Sequence, residues 1–118
     1  MKKHEFAGGV RVVVEDKTKN LSRDLYMVRL EFSIILLLDD EDQELFSYCG
    51  DYIRRTRVFE KPAVCERDLE QTKKTMEQSF FETNIPYLNH PEFADRLKKR
   101  TLLEMREEDE RKKRRAHE

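Results

Sequence analysis

The sequence predicts an α+β fold in which a small antiparallel sheet is followed by two C-terminal helices, the last ending in a charged, solvent-exposed extension. Two observations predict this class. Apolar side chains alternate along residues 25–38 with the two-residue period of a strand that has one face in a core. Residues 66–83 and 93–105 instead repeat apolar side chains at the spacing of one helix face. We therefore expect the sheet first in the chain and the helices after it.

Residues 25–38 are predicted to form the central strand. Even positions are apolar throughout, whereas Arg29 and Glu31 stand at odd positions. Residues 34–38 are apolar at both even and odd positions, as in strands that are covered on both faces. We therefore expect a second surface to cover that end of the strand.

The first strand is predicted at residues 6–16, where apolar side chains at even positions alternate with charged ones. A polar loop at residues 17–24 joins it to the central strand as a hairpin, and Asn20 is suited to a left-handed conformation in that loop. Because both strands place apolar residues at even positions, the two strands are expected to share one buried face.

Residues 45–59 allow two interpretations. As a helix, Leu45, Cys49 and Ile53 would fall on one stripe. As a strand, residues 51–59 are rich in β-branched and aromatic side chains, and Gly50 would break a helix. A third strand would stabilise the hairpin, so we expect a strand here and keep the helix as the alternative.

The two helices divide the rest of the chain. The first, at residues 66–83, should end at Asn84-Ile85-Pro86, because a residue before proline disfavours helix. The second loses its apolar face after Met105, where successive acid-to-base pairs at i,i+4 begin, each worth about 0.2–0.5 kcal/mol. We expect a single α+β domain at residues 1–105 and a charged helical tail at residues 106–118 that frays at its end.

Charge and composition exclude some classes of function for this protein. The net charge is −1, so no overall field directs the protein to nucleic acid or to an anionic membrane. The longest apolar run, residues 34–38, is far shorter than the roughly 20 residues of a membrane span, and no apolar signal segment follows the N-terminus. Two cysteines do not make a disulfide framework, so a cytoplasmic location is expected.

The sequence contains no catalytic or cofactor motif. The acidic run at residues 39–44 lacks the spacing of a calcium loop and reads as a solvated turn or the first turn of a helix. Three glycines, two of them adjacent, do not form a phosphate-binding loop, and the histidines have no second ligand at metal-binding spacing. We predict no catalytic residue, no metal and no cofactor, and keep an enzyme only as an alternative.

The apolar strand end is the clearest indication of function. Exposed apolar strands aggregate unless they are covered, so we expect a homodimer, with an unidentified protein partner as a further option. The alternative is that the helices cover both faces of the strand end within one chain. The predicted self-association surface comprises Ile34, Ile35, Leu36, Leu37, Leu38 and Phe81. The sequence thus favours a non-catalytic interaction or scaffold module that self-associates.

A basic run near the C-terminus supplies the other alternative, a nucleic-acid-binding protein. Its candidate phosphate contacts are Arg111, Lys112, Lys113, Arg114 and Arg115. The acids at residues 107–110 neutralise this run at helical spacing, and no aromatic side chain is available nearby for base stacking. We therefore expect no nucleic-acid partner as the main function.

Overall fold

A computed structural model describes residues 2–116 of the chain. Within them, an antiparallel sheet precedes two long helices, which confirms the predicted fold class. The strands are β1 (Lys2–Glu5), β2 (Val10–Asp16), β3 (Lys19–Ser22), β4 (Leu25–Leu37) and β5 (Tyr52–Cys65). The helices are α1 (Gln43–Cys49), α2 (Leu69–Leu88) and α3 (Phe93–Ala116).

Strand β4 is the centre of the sheet, as predicted. It pairs with β2 and β3 on one side and with β5 on the other, and β1 flanks β2. The strands β2 and β3 follow one register against β4, from Val10 opposite Leu36 to Lys19 opposite Met27. They therefore act as one interrupted strand of the predicted hairpin.

The hairpin turn is shorter than the predicted loop. Residues 19–22 belong to β3, and the left-handed residue is Arg23, with φ 50°, rather than Asn20. The side-chain amide of Asn20 instead donates hydrogen bonds to the carbonyl oxygens of Arg23 and Leu25, at 3.0 and 3.2 Å. Asn20 thus stabilises the turn from within the strand.

The core lies between one face of the sheet and the helices. Even-numbered residues of β2 and β4 form that face, and Val12, Val28 and Phe32 are fully buried, which confirms the predicted shared face. The ring of Phe32 stacks on Phe80 of α2, with ring centroids 4.1 Å apart. The aromatic contact fixes α2 above β4.

Each interpretation of residues 45–59 is correct for part of this segment. A short helix, α1, buries Leu45, and the expected third strand, β5, follows it. Gly50 separates them with φ 78°, a conformation that favours glycine, and its N–H donates to the carbonyl of Phe46 at 2.9 Å. The strand extends to Cys65, farther than predicted.

The predicted end of the first long helix at Asn84-Ile85-Pro86 is wrong, because α2 continues through Pro86 to Leu88. Proline removes one helical hydrogen bond, but the two further residues carry Leu88 into the core, where it is 1% exposed, and its burial offsets that loss. The second long helix continues to Ala116, so the charged tail is helical over the described residues. Residues 117 and 118 of the predicted tail lie outside them.

Candidate functional site

Within residues 2–116, the helices pack against one face of the sheet, and we call the other the open face. Odd-numbered residues of β2 and β4 lie on it. Ser33 and Val13 are nonetheless buried there. The guanidinium of Arg54 donates to the Ser33 hydroxyl at 3.1 Å and lies 3.7 Å from a carboxylate oxygen of Glu15. Long charged side chains therefore shield the middle of the open face from water.

The structure divides the predicted self-association surface between the two faces. Leu36 is buried in the core, and Ile34 and Leu38 pack against the core from the same side. Phe81 belongs to the helix layer, where its ring lies 5.2 Å from that of Phe80. Only Ile35 and Leu37 lie on the open face. The alternation of side chains in the strand could have signalled this division, because neighbouring residues point to opposite faces.

Leu37 has an apolar neighbour that the sequence did not reveal. It is 61% exposed and lies opposite Tyr52, which is 42% exposed, in the ladder between β4 and β5. Ile35 lies two residues before Leu37 in β4, on the same face of the sheet. We call Ile35, Leu37 and Tyr52 the apolar corner. The sequence left open whether residues 45–59 form a helix or a strand, and this ambiguity concealed the position of Tyr52.

Strand β5 forms one margin of the sheet. Its ladder with β4 is regular from Tyr52 to Lys61, and a bulge follows at Pro62 and Ala63, the latter with φ 56°. Within residues 2–116, the outer edge of β5 pairs with no other strand. A free edge presents backbone N–H and C=O groups that a strand of another chain can bind.

Helix α3 crosses the end of the sheet and extends beyond β5. It contacts the turn at Ala7–Gly9 beside β2, and over β5 the Arg55 guanidinium donates to the Thr101 hydroxyl at 3.1 Å and pairs with Glu104. At 1.5 Å per residue, residues 107–116 continue for about 15 Å past this contact. We call these residues the α3 overhang. In the described part of the chain its ion pairs are internal to the helix.

The predicted nucleic-acid contacts all lie on the α3 overhang and are exposed. The ammonium groups of Lys112 and Lys113 lie 3.9 and 3.5 Å from the carboxylates of Glu108 and Asp109, one helical turn earlier. Acidic and basic side chains thus partly neutralise one another along the helix, as the spacing predicts.

The acidic segment that precedes α1 connects α1 to α3. The Lys98 ammonium lies 2.8 Å from a carboxylate oxygen of Asp42 and 3.8 Å from one of Asp39. The hydrogen bond from Lys98 lowers the pKa of Asp42, and the same bond raises the pKa of Lys98. Arg106 binds the carboxylate of Glu44 through two nitrogens, Nε at 2.9 Å. Residues 39–42 form a turn before the helix, and of the acidic run only Glu44 lies in the first turn of α1, so each of the two interpretations holds for part of the run.

A cleft of about 460 Å³ lies between α2 and the edge of the sheet. The Lys73 ammonium lies 2.8 Å from Asp16, and Lys2 lies 3.2 Å from Glu77. Burial acts to raise the pKa of Asp16, but hydrogen bonds from Lys73 and Thr18 outweigh it, so the pKa is lowered. Four charged groups that line this cleft, those of Asp16, Lys73, Lys2 and Glu77, are thus paired with one another. Residues 2–116 contain no group of three or more side chains placed to hold a metal ion.

Among the described helices, none is both long enough and apolar enough to cross a membrane. No family model, no curated protein and no solved structure matches this chain. The function must therefore be argued from the surfaces themselves.

Proposed function

We propose that this protein is a non-catalytic interaction module that self-associates as a homodimer. The observation that carries the proposal is the exposure of Leu37, with Ile35 and Tyr52 beside it, on the open face of the sheet. Contiguous apolar side chains at a sheet margin favour contact with another chain. Ile35 and Leu37 are the members of the predicted surface that remain available for this contact.

The shape of the chain supports the same proposal. Its radius of gyration is 18.0 Å, whereas a compact domain of this length has about 13–14 Å. The extents of 53 × 41 × 20 Å describe a flat molecule with much surface for its volume. A second copy at the margin of the sheet would bury part of that surface.

The proposal includes a cytoplasmic location. Cys49 and Cys65 are both free thiols, as is usual for proteins of a reducing compartment. It also leaves the apolar corner available to a different protein wherever the second copy does not cover it.

The first experiment is light scattering on a sizing column over a range of concentrations. The expected mass is twice that of the 14.3 kDa chain. Leu37→Lys should raise the dimer dissociation constant several-fold, because it places a charge among apolar neighbours. Leu103→Lys is the matched control, since Leu103 is 58% exposed on α3, and it should leave the dissociation constant unchanged.

A folded monomer at every concentration would contradict self-association. Equal effects of the two lysine substitutions would show that the apolar corner takes no part in it. If the monomer instead binds nucleic acid with an affinity that falls steeply with salt, the alternative of a nucleic-acid-binding protein replaces the proposal.

A further inference from the structure

We propose that β5 is the dimer contact: a second copy of the chain pairs antiparallel to its outer edge, so that two sheets join into one continuous sheet. This inference rests on the self-association proposed above and specifies its geometry. Three features support it, namely the free edge of β5, the pattern of side chains along that edge and the α3 overhang beside it.

The side chains of β5 determine the register. In an antiparallel pair related by a twofold axis, opposed residues lie on the same face, so the axis passes between one residue and its own symmetry mate, and we name the axis by that residue. An axis at Thr56 would oppose Arg55 and Arg57, and an axis at Val58 would oppose Arg55 and Lys61. Directly opposed like charges destabilise a sheet. By symmetry each of these two registers contains two like-charged pairs, whereas an axis at Arg57 contains one, Arg57 opposite its own symmetry mate, and is therefore the least disfavoured of the three.

An axis at Arg57 gives complementary pairs on the open face. It places Arg54 opposite Glu60 of the second copy, and Thr56 opposite the second copy's Val58. At each end of the paired segment, Tyr52 lies opposite the second copy's Pro62. This pair continues the row of apolar side chains that begins at Leu37 and crosses to Tyr52. Each of these pairs occurs twice by symmetry. The bulge at Pro62 and Ala63 ends the regular edge and limits pairing to this length.

This register opposes Arg57 to its symmetry mate on the face that carries the helices. Arg57 and Lys61 are both exposed on that face, and neither forms an ion pair within residues 2–116. In the dimer, carboxylates from elsewhere would relieve the repulsion between these cations at the joined edge. The α3 overhang supplies them.

Acidic side chains lie on the side of the α3 overhang that faces the plane of the sheet. Glu108 is one helical turn beyond Glu104, which pairs with Arg55, and Glu107 is adjacent. A groove of about 320 Å³ runs along this side. Its lining comes from α3 alone: Glu104, Glu107, Glu108, Arg111, Lys112 and Arg115. No strand of the described chain lies beneath it.

The dimer places a strand beneath this groove. Because Arg55 would lie opposite Phe59 of the second copy, the α3 overhang of one copy passes above the second copy's Phe59. That side chain is only half-buried in the single chain, and Arg57 and Lys61 flank it. The carboxylates of Glu107 and Glu108 would then lie near the second copy's Arg57 and Lys61, and Glu108 would be shared between these cations and Lys112 of its own helix, whose ammonium lies 3.9 Å from it. The twofold axis repeats the contact in the other copy. The edge and the α3 overhang are thus complementary within one sequence.

Disulfide crosslinking tests the register in the full-length chain. With Cys49 and Cys65 replaced by alanine, single cysteines are introduced as Thr56→Cys, Arg57→Cys and Val58→Cys. A residue on the axis lies within the Cα separation of 4.4–6.8 Å that a disulfide requires, whereas its neighbours lie at roughly 8 Å from their symmetry mates. Mild oxidation should crosslink Arg57→Cys at least ten times faster than the other two.

Charge reversal tests the contact of the α3 overhang. Glu108→Lys should raise the dimer dissociation constant at least tenfold, because it places like charges beside Arg57 and Lys61. Glu110→Lys is the matched control: it makes the same change one half-turn away, on the outer side of the same helix. That variant should change the dissociation constant less than twofold.

The outcomes separate this inference from the proposed function. A dimer that crosslinks at Arg57→Cys and responds to Glu108→Lys supports both. A dimer that shows neither result overturns the β5 contact. The proposed self-association would then still hold, but through a different surface of the chain. A folded monomer overturns both. Faster crosslinking at Thr56→Cys or Val58→Cys overturns the register.

Discussion

Two adjacent leucines have opposite environments. Leu36 is 2% exposed in the core, and Leu37 is 61% exposed on the open face. Leu36→Lys should lower the free energy of unfolding by at least about 3 kcal/mol, because it buries an unpaired charge and removes apolar contacts. Leu37→Lys should change it by no more than about 0.5 kcal/mol in the dilute chain. Urea unfolding measures both.

A comparable loss of stability in the two variants would show that Leu37 is also part of the core. The contrast separates folding from association. A substitution at Leu36 that abolishes a dimer says nothing about the interface, because the chain itself unfolds. The substitution at Leu37 is the informative one.

The pairing of Asp42 with Lys98 gives a pH dependence of known sign. The hydrogen bond from Lys98 lowers the pKa of Asp42 in the folded chain, so the pair stabilises the fold above the ordinary aspartate pKa of about 4. That contribution disappears as the pH falls through the lowered pKa. Asp42→Asn should therefore be less stable than the parent chain at pH 7, and the difference should shrink as the pH falls below the ordinary aspartate pKa.

Asp40→Asn is the control for this titration, since Asp40 is exposed and forms no ion pair within residues 2–116. It should match the parent chain at pH 7 and at acid pH. Chemical denaturation across the acid range measures all three proteins. A difference between Asp42→Asn and the parent that persists unchanged at low pH would contradict the assigned ion pair.

At the scale of elements, the central strand and its two main partners were predictable, whereas β1 and β3 were not predicted and the first strand begins at Val10 rather than at residue 6. The helix boundaries were also less predictable. Alternation along β2 and β4 identified both strands and their shared face, because a period of two residues admits only one buried side. Local sequence could not reveal that Leu88 is buried beyond Pro86, since that burial depends on the distant core. Residues 45–59 were ambiguous because they contain both a helix and a strand, with Gly50 between them.

Pro86 is the position where the conflict between local helix preference and burial in the distant core can be measured. Proline inside a helix removes a hydrogen bond and costs about 3 kcal/mol relative to alanine in a regular interior position. Near the end of α2 the cost should be smaller, so we expect Pro86→Ala to raise the free energy of unfolding by about 1 kcal/mol. Thermal unfolding checks this. A destabilised variant would show that proline is required for the path of the chain into Leu88.

At the scale of the molecule, the candidate site was only partly predictable. The sequence indicated an apolar strand end and a charged tail, but not that β5 has a free edge or that α3 crosses the sheet to pass beside that edge. Those facts depend on the packing of residues far apart in the chain, such as Arg55 against Thr101 and Glu104. The sequence pattern identifies the buried face and the exposed face of each strand or helix. Only the assembled fold shows which of these faces contact one another.

Removal of the α3 overhang separates folding from assembly at this scale. A chain that ends at Arg106 keeps the contacts of α3 with α1 and with β5, because the ion pairs of the described α3 overhang lie within its own helix. Its free energy of unfolding, measured in the dilute chain, should stay within about 0.5 kcal/mol of the full chain. Its dimer dissociation constant should rise at least tenfold, since the cations of β5 lose their acidic partners. A truncated chain that dimerises as tightly as the full one would show that the apolar corner and the strand edge suffice, and that the charged helix serves a different contact.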